Sequence, residues 1–83
     1  MRNLMVENFV TEKGRKNKLV RIHFKNREPI KGLFIFMNDY QEMKAKNFWR
    51  IVSEVRAEDW LKKNDTSCSR LFSGDEFTRL TDL

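Results

Sequence analysis

The chain has 83 residues and a formal net charge of +5, which makes it one small domain, residues 1–83, near the lower size limit for folding alone. A single cysteine, Cys68, and a single histidine, His23, exclude a disulfide scaffold, a thiolate metal cage and a histidine-based triad. No apolar run reaches membrane-spanning length and the N-terminus lacks a signal-type apolar core, so the expectation is a soluble, cytoplasmic protein without membrane contact.

In chain order, the first predicted element is a helix over Asn3 to Lys13. Met5, Val6, Phe9 and Val10 fall on one helical face, and Gly14 supplies a left-handed cap with Lys13 at the negative end of the dipole. A strand over Leu4 to Val10 is the competing pattern. "KLVRIHFK" then alternates at period two, with Val20, Ile22 and Phe24 on one side and Arg21, His23 and Lys25 on the other, as in a strand with one face in a core and one in water. "NREP" makes a turn, in which Asn26 tolerates the left-handed region and Pro29 fixes φ. "IKGLFIFM" is apolar on both faces around Gly32. A strand of that kind lies beneath a cover or passes between two sheets, and its glycine marks a bend or a close backbone approach.

"NDYQEMKAKN" is polar enough for a loop or hairpin end, and "FWRIVSEVR" alternates as a third strand. "AEDWLKKN" carries Glu58 and Asp59 early and Lys62 and Lys63 late, the charge order of a short helix that Asn64 ends. A hairpin closes the chain: "CSRLF", the turn "SGDE" with Gly74 at positive φ, and "FTRL". Five short strands of this kind curl most economically into a barrel, because closure removes exposed edges. The expected core is Val20, Ile22, Phe24, Phe34, Ile35, Ile51, Val52 and Phe77.

The charge is uneven. Residues 1–27 hold eight Lys or Arg against two Glu, while residues 51–83 hold five against seven acids. A basic face beside an acidic one suits nucleic-acid binding, and it equally suits head-to-tail association of like subunits.

"VRIHFKN", with Gly32 six residues after Asn26, Asp39 in "MNDY", and the closing "RLFSGDEFTRL" resemble the two motifs of the Sm-like proteins, including the bacterial Sm-type RNA chaperone. Three departures stand out: Arg27 occupies a glycine position, Ser73 occupies a position where many members use arginine, and "SEVRAEDWLKKNDTSCS" is an insertion. Small barrels of the Src-homology or Tudor type produce similar patterns. The resemblance implies a mainly β fold: a small five-stranded antiparallel barrel with a short N-terminal helix and a short inserted helix. It also implies an oligomeric RNA-binding module.

Without paired acids in an evident cleft, the chain reads as non-enzymatic, with no cofactor and no metal. Lys13, Arg15, Lys16, Lys25 and Arg27 are the candidates to neutralise phosphates. Asp39 and Tyr40 are the candidates to meet a base, and Trp49 with Arg50 to add secondary contacts. The competing expectation is a protein-interaction or assembly module on the same barrel, without nucleic acid.

Overall fold

The computed structural model describes residues 1–12, 15 and 17–83. Helix α1 (Asn3–Val10) leads into strands β1 (Val20–Phe24) and β2 (Ile30–Ile35). Helix α2 (Tyr40–Ala45), strand β3 (Phe48–Ser53), helix α3 (Glu54–Lys63) and strands β4 (Ser69–Ser73) and β5 (Phe77–Asp82) follow. The strands form one antiparallel sheet in the order β4-β3-β2-β1-β5. Three α-helices occupy nearly as much of the chain as the five strands, so the fold is mixed α and β rather than mainly β.

The sheet is strongly curled. Strands β3 and β2 lie between β4 and β1, so a flat sheet would hold β4 and β1 about 14 Å apart. Yet the rings of Phe72 on β4 and Phe24 on β1 lie 5.7 Å apart. The pairing of β2 explains how: Ile30 to Gly32 pair with β1, whereas Gly32 to Ile35 pair with β3. The chain hands over from one neighbour to the other at Gly32, and a β-carbon there would lie 2.7 Å from Ile51 Cγ2 and 2.9 Å from the Val52 carbonyl oxygen. Glycine is required by close approach, as the sequence predicts.

Closure does not follow from the curl. Among the described residues no ladder joins β4 to β5, so the sheet is open, with these two strands as its edges. The expected hairpin of 68–72 with 77–80 is therefore not formed. Gly74–Glu76 make a 3₁₀ turn that separates the two strands. Gly74 does not adopt positive φ; a β-carbon on it would clash with the Asn47 side chain.

Two apolar clusters sandwich the central strands. On the concave face, Val6 and Val10 of α1 pack with Val20, Ile22, Phe34, Trp49, Ile51, Phe77 and Leu80. On the convex face, Ile35, Val52 and Cys68 pack beneath α3, with Trp60 against them. Strand β2 is apolar on both sides because helices cover both, not because it passes between two sheets. Seven of the eight expected core residues are buried, and Phe24 is half-buried against the same cluster. Within α1, Met5 is 56% exposed and turns away from the core that Val6 and Val10 enter. The helix ends at Val10, with Thr11 as its C-cap, so the predicted extension already fails at Thr11 and Glu12; Lys13 and the Gly14 cap lie outside the described residues.

Two boundaries differ from the sequence pattern. The segment 40–45 is a helix because Gln, Glu, Met, Lys and Ala are all strong helix formers, and Asn47, at φ 61°, stops the chain immediately after. Strand β3 ends at Ser53 instead of running on to Arg56. Its pairing with β2 stops at Gly32↔Ser53 and that with β4 at Val52↔Ser69. Beyond that point a strand would have no partner, and a helix satisfies its own backbone groups. Val55, which the alternation places inward, is 88% exposed on α3. Asn64 ends α3, as predicted, and the structure places it in the left-handed region.

Candidate functional site

Among the described residues, three of the five charged candidates, Arg15, Asp39 and Arg50, are engaged within the fold. Arg15 donates from Nε and Nη2 to the two Asp82 carboxylate oxygens, both at 2.9 Å. It also pairs with Glu12 at 2.5 Å and lies 3.8 Å above the Phe9 ring. That hydrogen bond to Asp82 raises the Arg15 pKa and holds the Asp82 carboxyl below its ordinary value. Arg15 thus ties the end of α1 to the edge strand β5. Lys13 and Lys16 lie outside the described residues.

Asp39, Tyr40, Trp49 and Arg50 are brought together, but they face one another. Arg50 grips Asp39 through Nη2 at 2.5 Å and Nε at 3.3 Å. This hydrogen bonding lowers the Asp39 pKa and raises that of Arg50. Tyr40 donates to Glu7 Oε2 at 3.3 Å, alongside Lys44 Nζ at 2.8 Å. Burial, then the neighbouring Glu7 charge, pushes the Tyr40 hydroxyl up to about 12, while the Lys44 hydrogen bond lowers the Glu7 pKa. Trp49 is 2% exposed and offers no stacking face; its Nε1 donates to Asn47 Oδ1 at 2.8 Å. The cavity these residues line measures about 10 Å³, room for one water and no more.

Asn47 is a residue that sequence reasoning missed. Besides receiving Trp49, it donates to the Met1 carbonyl at 2.8 Å and to Asp75 at 3.2 Å, and its own carbonyl accepts from Gly74 N at 2.7 Å. The Met1 amine reaches the Gly74 and Phe77 carbonyls at 2.8 and 2.9 Å. Asn47 and Met1 together fix the turn between β4 and β5. The sequence shows only an asparagine two residues before a tryptophan, and the φ of 61° at Asn47 comes from the structure.

Lys25 and Arg27 remain outward. Both are exposed and neither forms an ion pair among the described residues. Arg27 sits 5.1 Å over the Phe24 ring. It lines a cleft of about 430 Å³ together with Arg56 from the start of α3 and Arg70 from β4. Ser53, Ser67 and Ser69 add hydroxyls, and Ile30, Ile51 and Phe72 give it apolar walls. No carboxylate lines it. Arg56 donates only to Cys68 Sγ, at 3.5 Å, and Arg70 and Arg27 make no side-chain hydrogen bond among the described residues. The nearby Asp65 carboxylate accepts from both the Ser67 amide and its hydroxyl, which lowers its pKa; Arg56 acts on it only through space. Three guanidinium groups around one apolar-walled space repel one another, and a bound anion with several oxygens relieves that repulsion.

The sequence did not reveal this cleft, because its arginines come from a turn, a helix and a strand that only the curl of the sheet brings together. On the convex face, His23 lies between Arg21 and Arg79. Burial first, then these two charges, lower its pKa, and its Nε2 is buried with no hydrogen-bond partner among the described residues. The chain matches no protein-family model, no curated protein and no solved structure.

Proposed function

We propose that the chain is a non-enzymatic binding module that holds single-stranded RNA or DNA, on a curled sheet related to the Sm-like small barrels. The observation that carries this reading is the acid-free cleft with Arg27, Arg56 and Arg70 on its walls. Guanidinium groups fork onto phosphate oxygens, and the apolar walls beside them accept the flat faces of bases, which a duplex would keep stacked inside. Lys25, on the same turn as Arg27, adds a fourth cation. Three of the acids, Glu7, Asp39 and Asp82, are held by Lys44, Arg50 and Arg15. A cytoplasmic setting agrees with the lone thiol of Cys68, buried and unpaired. No helix among the described residues is long and apolar enough to cross a membrane.

The test is binding of a labelled single-stranded RNA by fluorescence anisotropy, comparing the wild type with R56E/R70E. Two lost charge-assisted contacts at roughly tenfold each weaken binding about a hundredfold. K62E/K63E, at the far end of α3, changes the net charge equally and serves as the control. Equal weakening by both pairs would assign the effect to net charge and not to the cleft.

A second reading, self-association or docking of a protein partner, is favoured by the open sheet edge. Strand β4 is unpaired on one side, and Leu71 on it and Phe48 on the adjoining β3 are 46% and 37% exposed. Unpaired edges with apolar neighbours recruit further strands. The native mass in solution decides whether a homo-oligomer forms there.

A further inference from the structure

Beside the arginine cleft is a second, smaller pocket of about 190 Å³, and Arg27 and Phe72 line both. The chemistry changes across that boundary. Phe24 and Phe72 form an apolar wall, and Asn26, Ser73 and Glu76 supply the polar groups. The volume falls below the roughly 300–1,000 Å³ of drug-sized sites and suits a single planar ring system. The three-arginine cleft and a ring-sized pocket are thus neighbours that share Arg27 and Phe72.

We infer that this pocket takes the base of the nucleotide whose phosphate lies in the arginine cleft, and that the base is guanine. The inference rests on the nucleic-acid reading above. Guanine's Watson–Crick edge presents two adjacent N–H donors beside one carbonyl. The Glu76 carboxylate accepts both donors as a fork, while the Asn26 amide or the Arg27 guanidinium donates to the carbonyl. Uracil sets its single N–H between two carbonyls, so the second carboxylate oxygen would face another acceptor. Cytosine and adenine each place a ring acceptor next to their amine, with the same mismatch. Stacking on Phe72 favours any base and supplies no choice; Glu76 supplies it. The position of Glu76 is fixed by its backbone, whose carbonyl accepts from Lys25 N at 3.0 Å. Its carboxylate makes no hydrogen bond or ion pair among the described residues. The adjacent acid, Asp75, is occupied by Asn47.

The experiment compares a short oligouridylate with the same oligomer carrying one central guanosine or one central adenosine, each titrated against wild type, E76Q and F72L. The guanosine oligomer binds the wild type about ten- to a hundredfold more tightly than the other two, the range for one good bidentate base contact. E76Q removes that preference while holding the oligouridylate at least as tightly as before, since a negative charge has gone. F72L weakens all three oligomers alike. If all three bind the wild type equally, or if a guanosine preference survives E76Q, the guanine pocket is refuted while the phosphate cleft stands. If none binds, the nucleic-acid reading fails and takes this inference with it.

Discussion

Replacing Gly32 by alanine adds one methyl group at the point where β2 changes partners. Its β-carbon would lie 2.7 Å from Ile51 Cγ2 and 2.9 Å from the Val52 carbonyl oxygen. Neither neighbour yields easily: Ile51 is 1% exposed within the core, and Val52 belongs to the β3 backbone, paired with Leu33 and Ser69. Forcing an extra carbon into such a site costs about 1–3 kcal/mol. Since Gly32 does not sit at positive φ, alanine also restricts the unfolded chain, which returns about 0.4–1 kcal/mol. The net destabilisation is about 1–2 kcal/mol, a large share of the roughly 4–12 kcal/mol expected for a domain of this length. With a urea slope near 1 kcal/mol/M for so small a chain, the midpoint falls by about 1–2 M. Urea unfolding followed by tryptophan fluorescence measures this directly. An unchanged or raised midpoint would show that β2 does not approach β3 this closely, and the derivation of the curl from Gly32 would fail.

Arg15→Glu lowers the urea midpoint more than Lys25→Glu does, because it places an acid against Asp82 and Glu12. Lys25→Glu instead weakens RNA binding more than it affects the midpoint. Trp49→Ala costs about 3–5 kcal/mol of stability, the range for deleting a buried aromatic, and Trp49→Phe leaves RNA affinity unchanged, since the indole has no exposed face. Stability also varies with pH in a defined direction. His23, Asp39 and Asp82 have folded pKa values below their ordinary ones, so the unfolded chain binds more protons and stability rises with pH. Stability is therefore lost in two stages on acidification, first as His23 titrates below 6.5 and again as the carboxylates titrate below 3.8. Tyr40 has the opposite shift, from 10.0 to about 12, so stability also declines above pH 10. Urea midpoints across this range check both limbs, and a midpoint that rises between neutral pH and acid would contradict the assignment.

The sequence was most informative where local pattern and tertiary environment agree. The alternation through Val20, Ile22 and Phe24 and the end of α3 at Asn64 have local causes, and the apolar run around Gly32 matches the cover on both faces of β2. The alternation in "SEVR" misled because a strand needs a partner, and pairing ends at Ser53 for reasons set by β2 and β4. The final hairpin misled in the same way: Ser73 and Gly74 look like a tight turn, but Asn47 and Met1 hold that turn so that β4 and β5 separate. Arg15 reads as a phosphate contact, Asp39 as a base contact and Arg50 as a secondary contact, and their partners, Asp82 in one case and each other in the remaining two, only the fold supplies. Arg56 and Arg70 carried no signal at all, because their importance comes from a cleft made by the curl.

The most direct test of the cleft as a nucleic-acid site is the salt dependence of wild-type binding to a single-stranded RNA. Each neutralised phosphate contributes about 0.7 to the log–log slope, so Lys25, Arg27, Arg56 and Arg70 together predict a slope near −3. R56E/R70E should bring it to about −1.5 or flatter, with the lost affinity largest at low salt. No detectable association with single-stranded RNA or DNA at roughly 50 mM salt, where the electrostatic attraction is strong, would contradict the account and leave the open β4 edge as the functional surface.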